Sequence, residues 1–328
     1  MSPRARIIVI AGAAACLAAG GTVALAVITS SGKSGNENKP VPLSGAPPLA
    51  LDLGVRTDPE ATALRRAERL YSNKPPRRAA AGRIFSRYQS SAAQVGAAFA
   101  GWPGSGLATL QRLAQEHPQD SLVLLHLGYA NLWAGDTEQA TAAWRRATSA
   151  QPDTMSAQRA DDALHPGFPP GEPLFVPSFA PPARLARLSP PRQFELLAKD
   201  AAKHDAHAKL LYGVALQRLG RRISAQRQYD SAARLDPGDP ETQVAAAVGR
   251  FDKSKPSAAF SRLGPLTKRY PHAATVRFHL GLMLLWLART QPGALAEGKR
   301  QLRLARKEQP DSPLAREAKR LLAGLEGV

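Results

Sequence analysis

The stretch from Ser121 to Asp153 reads SLVLLHLGYANLWAGDTEQATAAWRRATSAQPD, and it decides the fold. An apolar run holding Leu127-Gly128 stops at Gly135-Asp136, and a second run follows with Ala140, Trp144 and Ala147 at helical spacing before Pro152. The order returns at Ala206–Asp239, with Tyr212-Gly213, a break at Gly220, then Ala225, Tyr229, Ala232 and Pro237. It returns again at Leu280-Gly281, with Gly298, Leu302, Ala305 and Pro310, stretched by five residues around Thr290–Gly293. Pro118 and Pro152 are 34 residues apart, as are Pro237 and Pro271. Pro152 to Pro237 is 85, two periods plus 17 residues. A fixed period of this length means stacked supersecondary units rather than one globular core.

Each residue type has a physical job. Gly128, Gly213 and Gly281 lack a Cβ and let the second helix approach the first, where Ala140, Ala225 and Gly298 are the small partners. Trp144, Tyr229 and Leu302 are read as filling space between successive repeats. Gly135 and Gly220 permit turns with a positive φ. A proline cannot continue a helix and disfavours helix in the residue before it. Two weaker units occupy Arg87–Asp120 and Pro240–Ala273, and Pro265 is expected to kink the second helix of the latter.

This grammar resembles the tetratricopeptide repeat, a 34-residue helix–turn–helix with a Leu-Gly pair, an Ala-x3-aromatic pair and a late Pro. The first aromatic of that pattern is missing, with Leu124, Lys209 and Arg277 in its place. The resemblance implies an all-α chain, an α-solenoid of tetratricopeptide-type repeats over 59–328. It also implies a concave face, lined by the first helix of each unit, that binds peptides or proteins. On this chain that face would include Leu125, Tyr129, Leu132 and Trp133, then Leu210, Val214, Gln217 and Arg218, then Phe278, Leu282, Leu285 and Trp286. Trp133 and Trp286 are the expected anchors. The Lys/Asn pattern that clamps a peptide carboxylate in some members is absent.

Outward from the repeats, Arg4 and Arg6 precede Ile7–Ile28, 22 residues without a charge. About 20 apolar residues suffice to span a membrane. Basic residues before the span favour a cytoplasmic N-terminus with the remainder outside. Residues 1–28 therefore read as a signal-anchor in the cell membrane. A signal peptide cleaved at Ala24-Leu25-Ala26, which would release a secreted protein, is the competing reading. Residues 29–58 are rich in Ser, Gly, Asn and Pro and read as a flexible linker without a packed core. Asp58 and Pro59 then cap a helix over 60–71, and single helices are expected over Ala79–Phe99 and Gly106–His117.

The 17 extra residues fall in 165–191, HPGFPPGEPLFVPSFAPPARLARLSPP, which holds nine prolines and splits one repeat between its helices. Proline excludes ordinary helix there. Yet Phe168, Leu174, Phe175, Val176 and Phe179 are too apolar for a spacer. The segment is either a loop packed on its own array or one that covers or enters the groove, or presents an exposed ligand. A last helix, Leu314–Leu325 behind Ser312, caps the array.

No chemistry is assigned. Cys16, the only cysteine, lies in the apolar N-terminal segment, G-x-S-x-G is absent, and Trp102–Gly106 lacks a phosphate-loop lysine. His204 and His207 flank Asp205 without further ligands, so no catalytic residue, cofactor or metal is expected. His126 and His279 occupy equivalent repeat positions and read as structural or groove-edge residues. The formal net charge of +18, from 44 Lys/Arg and 26 Asp/Glu, is spread along the chain. The expected function is a non-enzymatic protein-interaction scaffold at the cell envelope. The alternative is electrostatic binding of an anionic envelope polymer or lipid headgroup; no nucleic acid is expected.

Overall fold

The computed structural model describes residues 42–326 and contains fifteen α-helices and one short 3-10 turn, with no strand among the described residues. The expected membrane segment and residues 29–41 of the expected linker lie outside them. Among the described residues no helix is long and apolar enough to cross a membrane. The chain divides into two compact units, 42–164 and 165–326 within the described range.

In the first unit α1 spans Pro59–Ser72, α2 Arg78–Phe85, α3 Ser91–Ala100, α4 Gly106–Glu116, α5 Ser121–Trp133, α6 Thr137–Ala150 and α7 Met155–Leu164. In the second, α8 spans Pro190–Ala201, α9 Ala206–Arg218, α10 Arg222–Leu235, α11 Pro240–Val248, α12 Ser257–Arg269, α13 Ala274–Trp286, α14 Ala294–Glu308 and α15 Pro313–Glu326. Within each unit successive helices pack on one another, and α1, α3, α5 and α7, or α9, α11, α13 and α15, also touch in a row. Those rows are the inner layers, made by the first helix of each pair.

The closing prolines act alike five times. α4, α6, α10, α12 and α14 end at Glu116, Ala150, Leu235, Arg269 and Glu308, each two residues before its proline. The residues between them are His117, Gln151, Asp236, Tyr270 and Gln309. All five leave the helical region, with φ from −142° to −127° and ψ from 64° to 82°. A proline clashes with helical backbone in the residue before it, so the stop is imposed locally. Gly135 and Gly220 take the expected positive φ, 91° and 71°. Pro265 lies inside α12, which continues past it to Arg269.

The helix pairs are locked from within. A Cβ on Gly128 would lie 2.2 Å from Nε1 of Trp144, and one on Gly213 would lie 2.4 Å from the ring of Tyr229. Trp144 Nε1 also donates to the Leu125 carbonyl at 3.2 Å. These aromatics thus fill the glycine notch of their own pair, correcting their placement between repeats. In the stretched unit Gly281 faces the Gly298 carbonyl and Leu302, both 3.0 Å from where its Cβ would stand.

Two expectations about local structure fail. The helix expected over Ala79–Phe99 is two helices, because Ser90 turns extended and its Oγ caps the Ala93 amide at 3.3 Å. A serine that offers the backbone such a bond competes with helix continuation. The expected linker is ordered from residue 42 onward: Leu49, Leu51 and Leu53 are buried in the core of the first unit. Alternate leucines on extended chain all face one side, so the run buries three apolar side chains despite its prolines.

Candidate functional site

The inner layer of each unit is already occupied by extended chain of the same unit. Of the residues expected to line an open groove, Leu125, Leu132, Trp133, Leu210, Val214, Gln217, Phe278, Leu282, Leu285 and Trp286 are buried. Only Tyr129 and Arg218 are half-buried. Trp133 and Trp286 are 5% and 3% exposed, so they belong to the core and are not anchors awaiting a partner.

In the first unit the occupant is residues 43–53. Its main chain is held by side chains from the helices around it. The Ala50 amide donates to His126 Nε2 at 3.2 Å, and the Leu51 amide donates to Glu68 Oε1 at 2.8 Å. Arg159 Nη1 donates to the Ala50 carbonyl at 2.8 Å, and the Tyr71 hydroxyl donates to the Pro47 carbonyl at 2.6 Å. The Leu43 amide donates to the Trp133 carbonyl at 3.0 Å. Each of these bonds satisfies a polar group that would otherwise be costly to bury.

In the second unit the occupant is 172–179, inside the proline-rich insertion, which has no helix before the 3-10 turn Ala183–Arg187. Of the readings left open for the insertion, entry into the inner layer is the one observed. Phe175 is 1% exposed and sits 5.1 Å from the His279 ring and 5.6 Å from the Tyr229 ring. The Val176 amide donates to His279 Nε2 at 2.9 Å. The Gln217 amide group takes the Phe175 N–H on Oε1 and gives an N–H to the Pro173 carbonyl, each at 3.1 Å. Tyr229 donates to the same Oε1 at 3.0 Å and fixes its orientation. Glu241 accepts the Ser178 amide at 3.2 Å, and Glu172 pairs with Arg222 at 3.1 Å.

The two histidines do the same work. Each is fully buried, and each Nδ1 lies 2.7 Å from the carbonyl four residues back, Leu122 or Thr275. That carbonyl accepts only, so Nδ1 carries the proton and Nε2 is the bare acceptor for the occupant's amide. Burial pushes both imidazoles down to about 4, with Arg159 pushing the same way at His126. Burial raises the Glu68 and Glu241 carboxyls, against the amides that favour their charged forms. It raises the Tyr71 and Tyr229 phenols as well.

His204 and His207 gain no further ligand; His207 lies 3.8 Å from Asp239 and packs against Phe179. Among the described residues no group of three or more His, Cys, Asp or Glu is placed to hold a metal ion. Sequence reasoning missed Glu68 and Glu241 as holders of main chain, whereas Gln217, expected on the peptide-binding face, does hold it. One signal was present: His126 and His279 share a repeat position, and each stands among apolar residues where a histidine needs two partners.

No protein-family model matches the chain, and no curated protein sequence matches it. Among solved structures it is similar to a chain in the "Crystal structure of APC/C hetero-tetramer Cut9-Hcn1". The identity is 15% and the TM-score 0.30, over 80% of this chain and 55% of that one. The chain thus spans about half the length of that neighbour. A superposition this loose carries no argument, and the fold rests on the helix pairs and their prolines.

Proposed function

We propose that the protein is a non-enzymatic interaction scaffold at the cell envelope, held at the membrane through Ile7–Ile28 with its helical repeats outside. What supports this reading is the inner layer of both units, where helical side chains hold extended main chain by its amides and carbonyls. Such a surface addresses polypeptide. Reaction chemistry would need titratable groups around an accessible volume; here buried His126, His279 and Glu241 are spent on the chain's own backbone.

The test is crosslinking in membranes from cells expressing the full-length chain, followed by capture and N-terminal sequencing. The expected result is an intact N-terminus in the membrane fraction and a protein partner retained in high salt. A chain beginning near Val27 and recovered outside the cells would remove the anchor from this reading. The net charge of +18 favours a second reading, attraction to an anionic polymer or headgroup. Binding of that kind falls steeply as salt is raised, whereas contacts through buried apolar groups hold.

A further inference from the structure

The occupants differ in sequence while the holding device recurs. APPLALDL at 46–53 and EPLFVPSF at 172–179 share little beyond a leading Pro-Leu and an apolar residue buried just before the amide that the histidine takes, Leu49 or Phe175. Both give an amide to a buried histidine placed just before a Leu-Gly pair, and a later amide to a buried or part-buried carboxylate. In the second segment Pro177 has no N–H, so the carboxylate takes the amide of Ser178 instead. Two layers of like design thus hold two unrelated sequences, each mainly by its main chain.

The first segment is held chiefly through its main chain, and Arg65 on α1 adds bonds to the Leu53 and Gly54 carbonyls at its end. It joins α1 through Gly54–Thr57, where Gly54, Arg56 and Thr57 are exposed and Gly54 has φ +49°. Its polar bonds are made by its main chain, and its leucines enter singly. The second segment adds the Glu172–Arg222 ion pair and the two-sided Gln217 clasp.

From this we propose that the inner layer of the first unit is an acceptor for extended peptide, and that residues 46–53 are its resident, displaceable occupant. The partner this fits is a protein segment held extended by proline, with leucines at alternate positions behind it. It would leave by the route it occupies, turning about Gly54, and a competing segment would take the same amide and carbonyl contacts at His126, Glu68, Arg159 and Tyr71. The inference rests on the scaffold reading. A covalently attached occupant acts at an effective concentration on the order of mM, so a free peptide meets a groove that is mostly closed.

The experiment is fluorescence anisotropy on the full chain, with a labelled synthetic peptide of the sequence of residues 42–54. The wild type is compared with a Leu49→Asp, Leu51→Asp double variant, whose own segment can no longer bury its side chains. The variant is expected to keep the helical circular dichroism of the wild type and to bind the peptide about tenfold tighter or better. Adding His126→Phe to it, or N-methylating the peptide at the Ala50 amide, should each undo about tenfold of that gain. Equal affinity for wild type and double variant would place the peptide elsewhere and overturn the proposal. So would a double variant that loses its helical signal, because the segment would then be fixed core. A wild type that doubles its mass in light scattering, with the double variant monomeric, would assign the occupant to a second copy and overturn the partner named here. The assay uses no cellular partner, so it can fail while the capture experiment succeeds, and the reverse.

Discussion

The first and second units both bury an extended segment against a histidine, but they distribute its stabilisation differently. The first unit spreads apolar contact over Leu49, Leu51 and Leu53, none fully out of reach of solvent, at 7%, 6% and 6% exposure. The second concentrates it in Phe175 and surrounds that ring with His279, Tyr229 and the Gln217 clasp. A segment held by three modest side chains has no single keystone; one held by a buried ring does. The difference teaches that the same backbone-reading device can be combined with several modest apolar contacts or with one buried ring, depending on what fills the apolar positions.

The sharpest way to break this comparison is Phe175→Ala. Removing a fully buried aromatic costs about 3–5 kcal/mol, from lost transfer energy and the cavity left behind. Leu51→Ala, the matching change in the first unit, should cost about 2–3 kcal/mol, because its neighbours still hold the segment. Denaturant unfolding with hydrogen exchange at the Val176 and Leu51 amides measures both. If Leu51→Ala exposes its unit more than Phe175→Ala exposes the other, the contrast between spread and concentrated burial is wrong.

A smaller effect is expected at Gln217. Gln217→Ala leaves the Phe175 N–H, the Pro173 carbonyl and the Tyr229 hydroxyl buried without their partner. Each such loss is worth on the order of 1–3 kcal/mol, and water entering the space vacated by the side chain recovers part of it. The equivalent position in the first unit, Leu132, has an apolar side chain, so a loss at Gln217 of about 2 kcal/mol would mark what the clasp adds. A change of a few tenths would show the second segment to be held by Phe175 and His279 alone.

Much of the array was legible because its signals are local. A proline acts on the residue before it, and a glycine notch pairs with an aromatic 16 residues later in two of the three strong repeats. The inner occupants were not legible, because their partners are remote. Ala50 and His126 are 76 residues apart, and Val176 and His279 are 103 apart. Nothing in the leucine alternation at 49–53 names a receiving surface, and its prolines and serines look like those of a linker. The same blindness read the groove as open. A layer of Leu, Phe and Trp on first helices reads as a surface for something else until the chain's own segments are laid across it.

The least of the expected effects is the response to acid, and its sign has two parts. His126 and His279 titrate near 4 when folded and near 6.5 when unfolded, so their contribution is intact above about 6.5 and is lost as pH falls toward 4. At pH 5 each amounts to a loss of about 2 kcal/mol. Protonated Nε2 would also point a proton at an amide proton, with Arg159 beside His126 worsening the first case. Glu68 and Glu241 oppose this. Their folded carboxyls are raised above the usual range by burial, so they penalise the fold above their unfolded value and relieve it as acid protonates them. The two carboxyls therefore offset part of the histidines' acid loss in each unit. Glu68→Gln in the first unit, or Glu241→Gln in the second, removes the opposing term and should steepen the acid loss. The measurement is the denaturation midpoint at pH 7 and pH 5 for the wild type and each glutamine variant. An unchanged slope in both variants would mean that the carboxylates stay charged on the occupants' amides, and that the histidines alone set the acid response.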